Sequence, residues 1–398
     1  FMDTAGIYIH IPFCLKKCFY CDFFSIASDV DYIRKGYTRA LLKEIGFYGA
    51  KYGKDFVADT IFFGGGTPSL MEPELIDKIL RCLKRNFFIA QNSEITMECN
   101  PATVNLEKLV KYRKSGVNRL SIGAQSFDDD VLRKLGRVHR AEDVIKTVQL
   151  ARKAGFDNIS LDLMFAVPGQ DMGKWVESMK KALALAPEHL SFYSLEIADG
   201  TVFGDMYRAG KLKETPVEED RKMYHTALDM TDKAGYNHYE ISNAALPGRE
   251  CRHNLKYWNL SEYMGLGASA HSFIRDTRYS NISNVKMYYH TMWSQDATSN
   301  MRINDSEAFA ADCVGASRTN TYMDNVAEYT FTALRTKKGV VFEDFTKKLK
   351  NDFWDVYALQ RAEFEMFVRE GYAESDVWHI SLTRKGIDIS NRIMSLFV

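Results

Sequence analysis

Ile7-Tyr8-Ile9-His10-Ile11-Pro12-Phe13-Cys14-Leu15-Lys16-Lys17-Cys18-Phe19-Tyr20-Cys21-Asp22-Phe23 is the stretch on which the fold turns. Its first half is a β-branched apolar run and predicts a strand. Three cysteines in CxxxCxxC spacing follow directly. Thiolates at that spacing can converge on one metal centre, and soft sulfur selects iron–sulfur clusters, zinc or copper(I). A closed zinc site wants four ligands, and no fourth cysteine lies near. A cubane held by three cysteines leaves one iron open to a further ligand. The spacing alone also allows a zinc site completed by His10, a disulfide with a spare thiol, or three buried thiols.

Outward from this stretch, strand-like and helix-like segments alternate. The strand-like runs are residues 7–13, 60–64, 94–98, 119–124, 159–165 and 189–195. Helical patterns lie between and after them at 32–48, 73–87, 106–115, 141–154, 174–185 and 218–234. Serial βα units predict a parallel sheet with one crossover hand. The expected fold is therefore α/β: a partial (β/α)6 barrel, open at the side, with a C-terminal helical, winged-helix-like domain. The expected organisation is a barrel over 1–235, a connecting region over 236–304, and the C-terminal domain over 305–398, where Leu382-Thr383 before Gly386 reads as a short strand entering a capped helix.

Polar and glycine-rich residues gather just past the strands, where βα loops form the mouth of a barrel. After the second strand comes Gly64-Gly65-Gly66-Thr67-Pro68; it lacks the Lys-Ser/Thr of a phosphate loop and the GxGxxG of a dinucleotide site. Its bare backbone suits a close ligand such as an amino-acid ammonium, or simply a tight turn. Glu98, Gln125, Arg137 and Asp162 stand at or near other strand ends. Their carboxylates can accept from ammonium or ribose hydroxyls, and the guanidinium can pair with a carboxylate.

Composition excludes several classes. Lys plus Arg and Asp plus Glu are 52 each, so no overall charge draws the chain to nucleic acid. No apolar run is long enough to span a bilayer. Seven cysteines, four of them scattered singly, and no secretory pattern lead us to expect a reducing cytoplasmic setting.

The run from Tyr8 to Cys14, Cys18, Cys21, Gly65-Gly66-Thr67-Pro68, Gly123-Ala124-Gln125-Ser126-Phe127 and Asp162-Leu163-Met164 together resemble the radical S-adenosylmethionine (SAM) superfamily, within it the oxygen-independent coproporphyrinogen III oxidase group. The resemblance covers nearly the whole chain. It implies a [4Fe-4S] cluster on Cys14, Cys18 and Cys21, with SAM chelating the open iron and cleaved on reduction to a 5′-deoxyadenosyl radical. It places Tyr8, Gly65 and Glu98 in the SAM site, with Gly66 and Thr67 in the same motif. Gln125, Arg137 and Asp162 match SAM-contacting positions, and the peptide near Glu196 matches the adenine side.

One departure redirects the function. Those oxidases carry a further cysteine two residues beyond the third; this chain has Phe23 there. Together with His253-Asn254-Leu255-Lys256-Tyr257-Trp258, this resembles the haem chaperone family instead. That resemblance implies b-type haem, with His253 as a candidate ligand. Among the chain's other residues, His271 in the glycine-rich segment is a weaker second candidate, and the isolated Cys251 reads as an inert cysteine rather than a thiolate ligand. The resemblance also implies haem-acceptor partners, among them membrane-bound respiratory enzymes, and it is compatible with a homodimer. Decarboxylation of coproporphyrinogen III is the alternative. Radical modification of tRNA and a structural zinc protein stand further off.

Overall fold

Strand β1 (Asp3–Ile11) buries Ile7, Ile9 and Ile11 completely on one face and turns Tyr8 and His10 to the other. The same division recurs along β2 (Phe56–Gly65), β3 (Phe88–Cys99), β4 (Arg119–Gln125), β5 (Ile159–Phe165) and β6 (His189–Ser194). Side chains alternate along a strand, so Ile61, Met97, Ile122, Leu161 and Leu190 form one apolar face. Phe62, Glu98, Ser121, Asp162 and Ser191 form the opposite one. This computed structural model describes residues 3–27, 30–294 and 313–398.

The apolar face is covered by α1 (Asp31–Tyr52), α2 (Pro73–Asn86), α3 (Leu106–Ser115), α4 (Ala141–Lys153), α5 (Met172–Ala184) and α6 (Val217–Lys233). Helix α2 shows why. Proline opens it at a position that needs no amide hydrogen, and Leu75, Ile76, Ile79, Leu80 and Leu83 fall on one side and are all buried. Each such side chain contributes about 1.5–3 kcal/mol by burial.

Strands β1 to β6 are parallel neighbours in chain order. Past β6 come β7 (Asn237–Glu240) and β8 (Asn243–Ala245), both antiparallel. The chain then crosses through α7 (Arg252–Trp258) to β9 (Tyr263–Leu266), which pairs parallel with β1, Tyr8 opposite Gly265. The sheet thus has a seventh parallel strand beyond the six expected, and it comes from within the segment 236–304. Antiparallel β10 (His271–Ile274), β11 (Thr277–Asn281) and β12 (Val314–Thr319) bring the sheet to twelve strands among the described residues. Tyr8 on β1 and Tyr193 on β6 stand five strands apart, about 24 Å in a flat sheet, yet each lines a cavity bordered by Glu98 and Asp162. The sheet therefore curls into an incomplete barrel.

The expected boundary at 304/305 lies outside the described residues. Beyond it, helices around Phe345, Phe353 and Phe364 enclose a separate core. A three-stranded antiparallel sheet, Val340–Val341, His379–Leu382 and Ala373–Ser375, lies beside them. Thr383 caps the following helix by accepting from Gly386 N, as the sequence suggested. Among the described residues no helix is long and apolar enough to cross a membrane.

Glu44 fastens α1 to the loop after β9. It is fully buried and accepts from Gly267 N (2.7 Å), Tyr288 Oη (2.6 Å) and Asn281 Nδ2 (2.5 Å). Removing the acceptor strands three buried donors. Glu44→Ala is therefore expected to cost about 3 kcal/mol or more, and Glu44→Gln clearly less, in urea denaturation. Equal costs for the two variants would contradict this account.

Candidate functional site

The cysteine loop is closed at its base. Phe13–Cys14 pairs with Ile26–Ala27, and Ile26 N donates to Pro12 O at 2.7 Å. Within it, Thr67 Oγ1 donates to Cys14 Sγ (3.6 Å) and Arg137 Nη1 to Cys18 Sγ (3.5 Å). Cys14, Cys18 and Cys21 line one cavity of about 330 Å³. Every residue that the sequence connects to the cluster and SAM, apart from Tyr8, lines that same cavity, Glu196 included.

These donors suit a cationic iron centre. Burial raises the Cys14 thiol and pushes Cys21 up to about 11, with the neighbouring cysteines adding to both. Among the described residues, no three His, Cys, Asp or Glu side chains already form a closed metal-holding group. A bound cluster would take these cysteines as thiolates and supply the positive charge that offsets their mutual repulsion. Arg137 and Thr67 already aim donors at two of the sulfurs, and hydrogen bonds to sulfur tune such clusters.

The glycine loop brings bare backbone to the cysteines. Gly65 has φ +114°, and a Cβ there would sit 2.6 Å from the His10 ring. A Cβ on Gly66 would meet the backbone of Ile11, Pro12 and Phe13 at 2.8–3.0 Å. Gln125, at the end of β4, holds φ 61°, a costly conformation for a non-glycine residue.

Two carboxyls face the cavity. Burial, then the charge of Asp162, pushes Glu98 up to about 8, against a bond from Gly65 N to Glu98 Oε2 at 3.0 Å. Burial also raises Asp162, although Ser121 donates to both its oxygens at 3.0–3.1 Å. Asn100, the residue after β3 and one that the sequence did not single out, links the parts. Its Nδ2 donates to Thr67 Oγ1 (2.8 Å), and its Oδ1 accepts from Arg137 Nη2 (2.6 Å). The arrangement offers a guanidinium for a carboxylate and carboxyls for an ammonium or hydroxyls.

Below this lies a larger cavity of about 610 Å³, lined by Tyr8, Phe24, Arg119 and Tyr263. Asp22, Phe23, Glu98, Ser121, Asp162 and Tyr193 border both, so the two adjoin. His10 and His253 also border the larger cavity, and the ring nitrogens of both have partners. His10 Nε2 bonds Phe24 O (2.9 Å) and its Nδ1 meets Tyr8 Oη (3.1 Å), leaving no nitrogen for zinc. His253 is 1% exposed; Nδ1 meets Thr60 Oγ1 (2.8 Å) and Nε2 meets Tyr257 Oη (2.9 Å). Burial and the charges of Lys256 and Arg119 lower its pKa to about 3. Its ring stacks on Phe62, and Glu94 accepts from the His253 and Arg252 backbone amides. Cys251 is also buried, with Sγ donating to Glu94. Helix α7 therefore packs against the barrel with both ring nitrogens of His253 hydrogen-bonded at the cavity wall.

Comparison with known proteins agrees with this geometry. The Radical SAM superfamily model matches residues 8–182. The chain is 35% identical over 395 residues to a protein of Bacillus subtilis (strain 168) named "Heme chaperone HemW", covering 98% of each. It is 33% identical over 391 residues to the like-named protein of Lactococcus lactis subsp. lactis (strain IL1403), covering 98% of this chain and 96% of that one. Among solved structures, coproporphyrinogen III oxidase (HemN) from Escherichia coli superposes with a TM-score of 0.84 at 22% identity, over 100% of this chain and 90% of that one; this establishes a common fold. Cluster loop, glycine loop and a sheet with seven parallel strands, together with relatives that match over nearly the full length, place the chain in the HemW family of the radical SAM superfamily.

Proposed function

We propose that this chain binds b-type haem and hands it to acceptor proteins, respiratory enzymes among them, while holding a [4Fe-4S] cluster and SAM in the adjoining cavity. The observation that carries the reading is Phe23, 65% exposed where both cavities meet. It puts an apolar ring where the oxidase pattern has a thiol, which disfavours porphyrinogen decarboxylation and suits a flat macrocycle. The near full-length relatives named as haem chaperones support the same reading. So does the larger cavity, whose volume falls in the range of small-molecule sites. No Cys-x-x-Cys-His occurs for covalent haem attachment, which favours b-type binding.

In the smaller cavity Cys14, Cys18 and Cys21 would hold the cluster. Arg137, Glu98 and Asp162 would orient SAM, and Gly65 and Gly66 would let it approach the backbone. When bound, cluster and SAM supply one-electron reductive chemistry. The test is anaerobic titration of the cluster-loaded protein with haem, followed by mixing with an apo-haemoprotein. Saturable binding at micromolar or lower concentration, with transfer to the acceptor, is the expected result. Absence of binding in that range rejects the proposal.

A further inference from the structure

Three histidines border the larger cavity, and they differ in one respect. His10 and His253 have partners on both ring nitrogens. His271, the first residue of β10, is exposed, and among the described residues no hydrogen bond or ion pair reaches its ring. It stands close enough to His10 for their charges to interact, and His10 in turn is bonded to the Phe24 carbonyl. An accessible imidazole thus shares a cavity wall with the aromatic side chains of Phe23 and Phe24.

The backbone under His271 is held from two sides. On one, His271 pairs with Ser280 of β11. On the other, Gly265 approaches so closely that a Cβ there would lie 2.1 Å from the His271 carbonyl oxygen. Ser272 Oγ accepts from Gly265 N at 2.8 Å, and Gly265 is the register partner of Tyr8, itself on the cavity wall. A ligand carried on paired strands is more sharply placed than one on a loop. An imidazole with free nitrogens is a common axial ligand of haem iron.

We propose that His271, rather than the buried His253, supplies the axial nitrogen to haem iron, with the macrocycle seated in the larger cavity against Phe23. The assignment rests on the haem-binding reading above. It also makes haem a neighbour of SAM, because Phe23 follows the third cysteine by two residues and borders both cavities. His253 then acts through packing only.

The experiment is haem titration of the cluster-reconstituted chain, read by the Soret band and by electron paramagnetic resonance, for the native protein, His271→Ala and His253→Ala. His271→Ala is expected to weaken haem binding at least tenfold and to lose the native spectrum. Added imidazole should restore that spectrum, which a merely structural role would not allow. Iron and sulfide content should stay at the native level, since His271 does not border the cluster cavity. His253→Ala should keep the native ligand spectrum. If native protein binds haem and His271→Ala matches it in affinity and spectrum, His271 is not the ligand and the chaperone reading stands. If the native protein takes up no haem, both fall together.

Discussion

Gly65→Ala is expected to weaken SAM binding about 100-fold or more, the equivalent of roughly 3 kcal/mol. Two independent effects add. The backbone at Gly65 has φ +114°, outside even the left-handed region open to other residues, and holding alanine there costs about 1–3 kcal/mol. The new Cβ would also lie 2.6–2.9 Å from three atoms of the His10 ring. That ring cannot step aside freely, because it is bonded to the Phe24 carbonyl and to Tyr8. Moving it disturbs the chain three residues past Cys21. Tilting the Gly65 peptide instead withdraws its N–H from Glu98.

The measurement is SAM affinity by calorimetry on anaerobically reconstituted protein, with circular dichroism to confirm folding. Gly46→Ala is the companion, since a Cβ there meets nothing within 4 Å inside α1. It should leave SAM affinity unchanged and gain about 0.5–1 kcal/mol of stability. Native SAM affinity in Gly65→Ala would show that the glycine loop is only a turn.

How much of this could be read from residues alone depended on the range of the physics involved. Each of the first six parallel strands is an apolar stripe set by period-two alternation, a local property, and Ile7, Ile61 and Leu161 announce it without help. The site followed, because residues at successive strand ends must share a barrel mouth. Strand β9 was missed for a non-local reason. It has four residues, one of them Gly265, whose lack of a side chain is explained only by the His271 carbonyl packed against it. The starts of β2 and β3 were set too late for a similar reason. Their pairing shifts register between Ala58 and Thr60, and polar Gln91 and Asn92 lie within β3, so the alternation breaks there. The hydrogen bonds of His253 were not legible in the sequence, because its partners, Thr60 and Glu94, lie 193 and 159 residues away. A histidine's neighbours in sequence say nothing about whether its nitrogens are already taken. That His271 borders the cavity follows only from the start of β10 at the cavity edge.

SAM affinity should depend on pH through Glu98. In the folded chain this carboxyl is held at about 8, so near neutrality it is mostly protonated. A cationic ligand group beside it favours the carboxylate, so binding below about pH 8 must expel a proton. Affinity is therefore expected to rise with pH, by at most about tenfold per unit, and to level off above about 8. Stability of the ligand-free chain should run the opposite way. The folded pKa lies above the ordinary carboxylate value, so the unfolded chain ionises first. The stability linked to Glu98 is present at low pH and is lost as pH rises through about 8. The α-amino group of SAM titrates near the same range, about 7.7–8.0, so the native curve alone does not decide the matter. Glu98→Gln does. It cannot release a proton, and its affinity should change with pH only as the ligand's own amine requires. Calorimetry in two buffers of different ionisation enthalpy counts the proton directly: the native chain should release one more than Glu98→Gln at pH 7. Equal proton release by the two proteins would remove Glu98 from the SAM site and leave its raised pKa as a consequence of burial beside Asp162 alone.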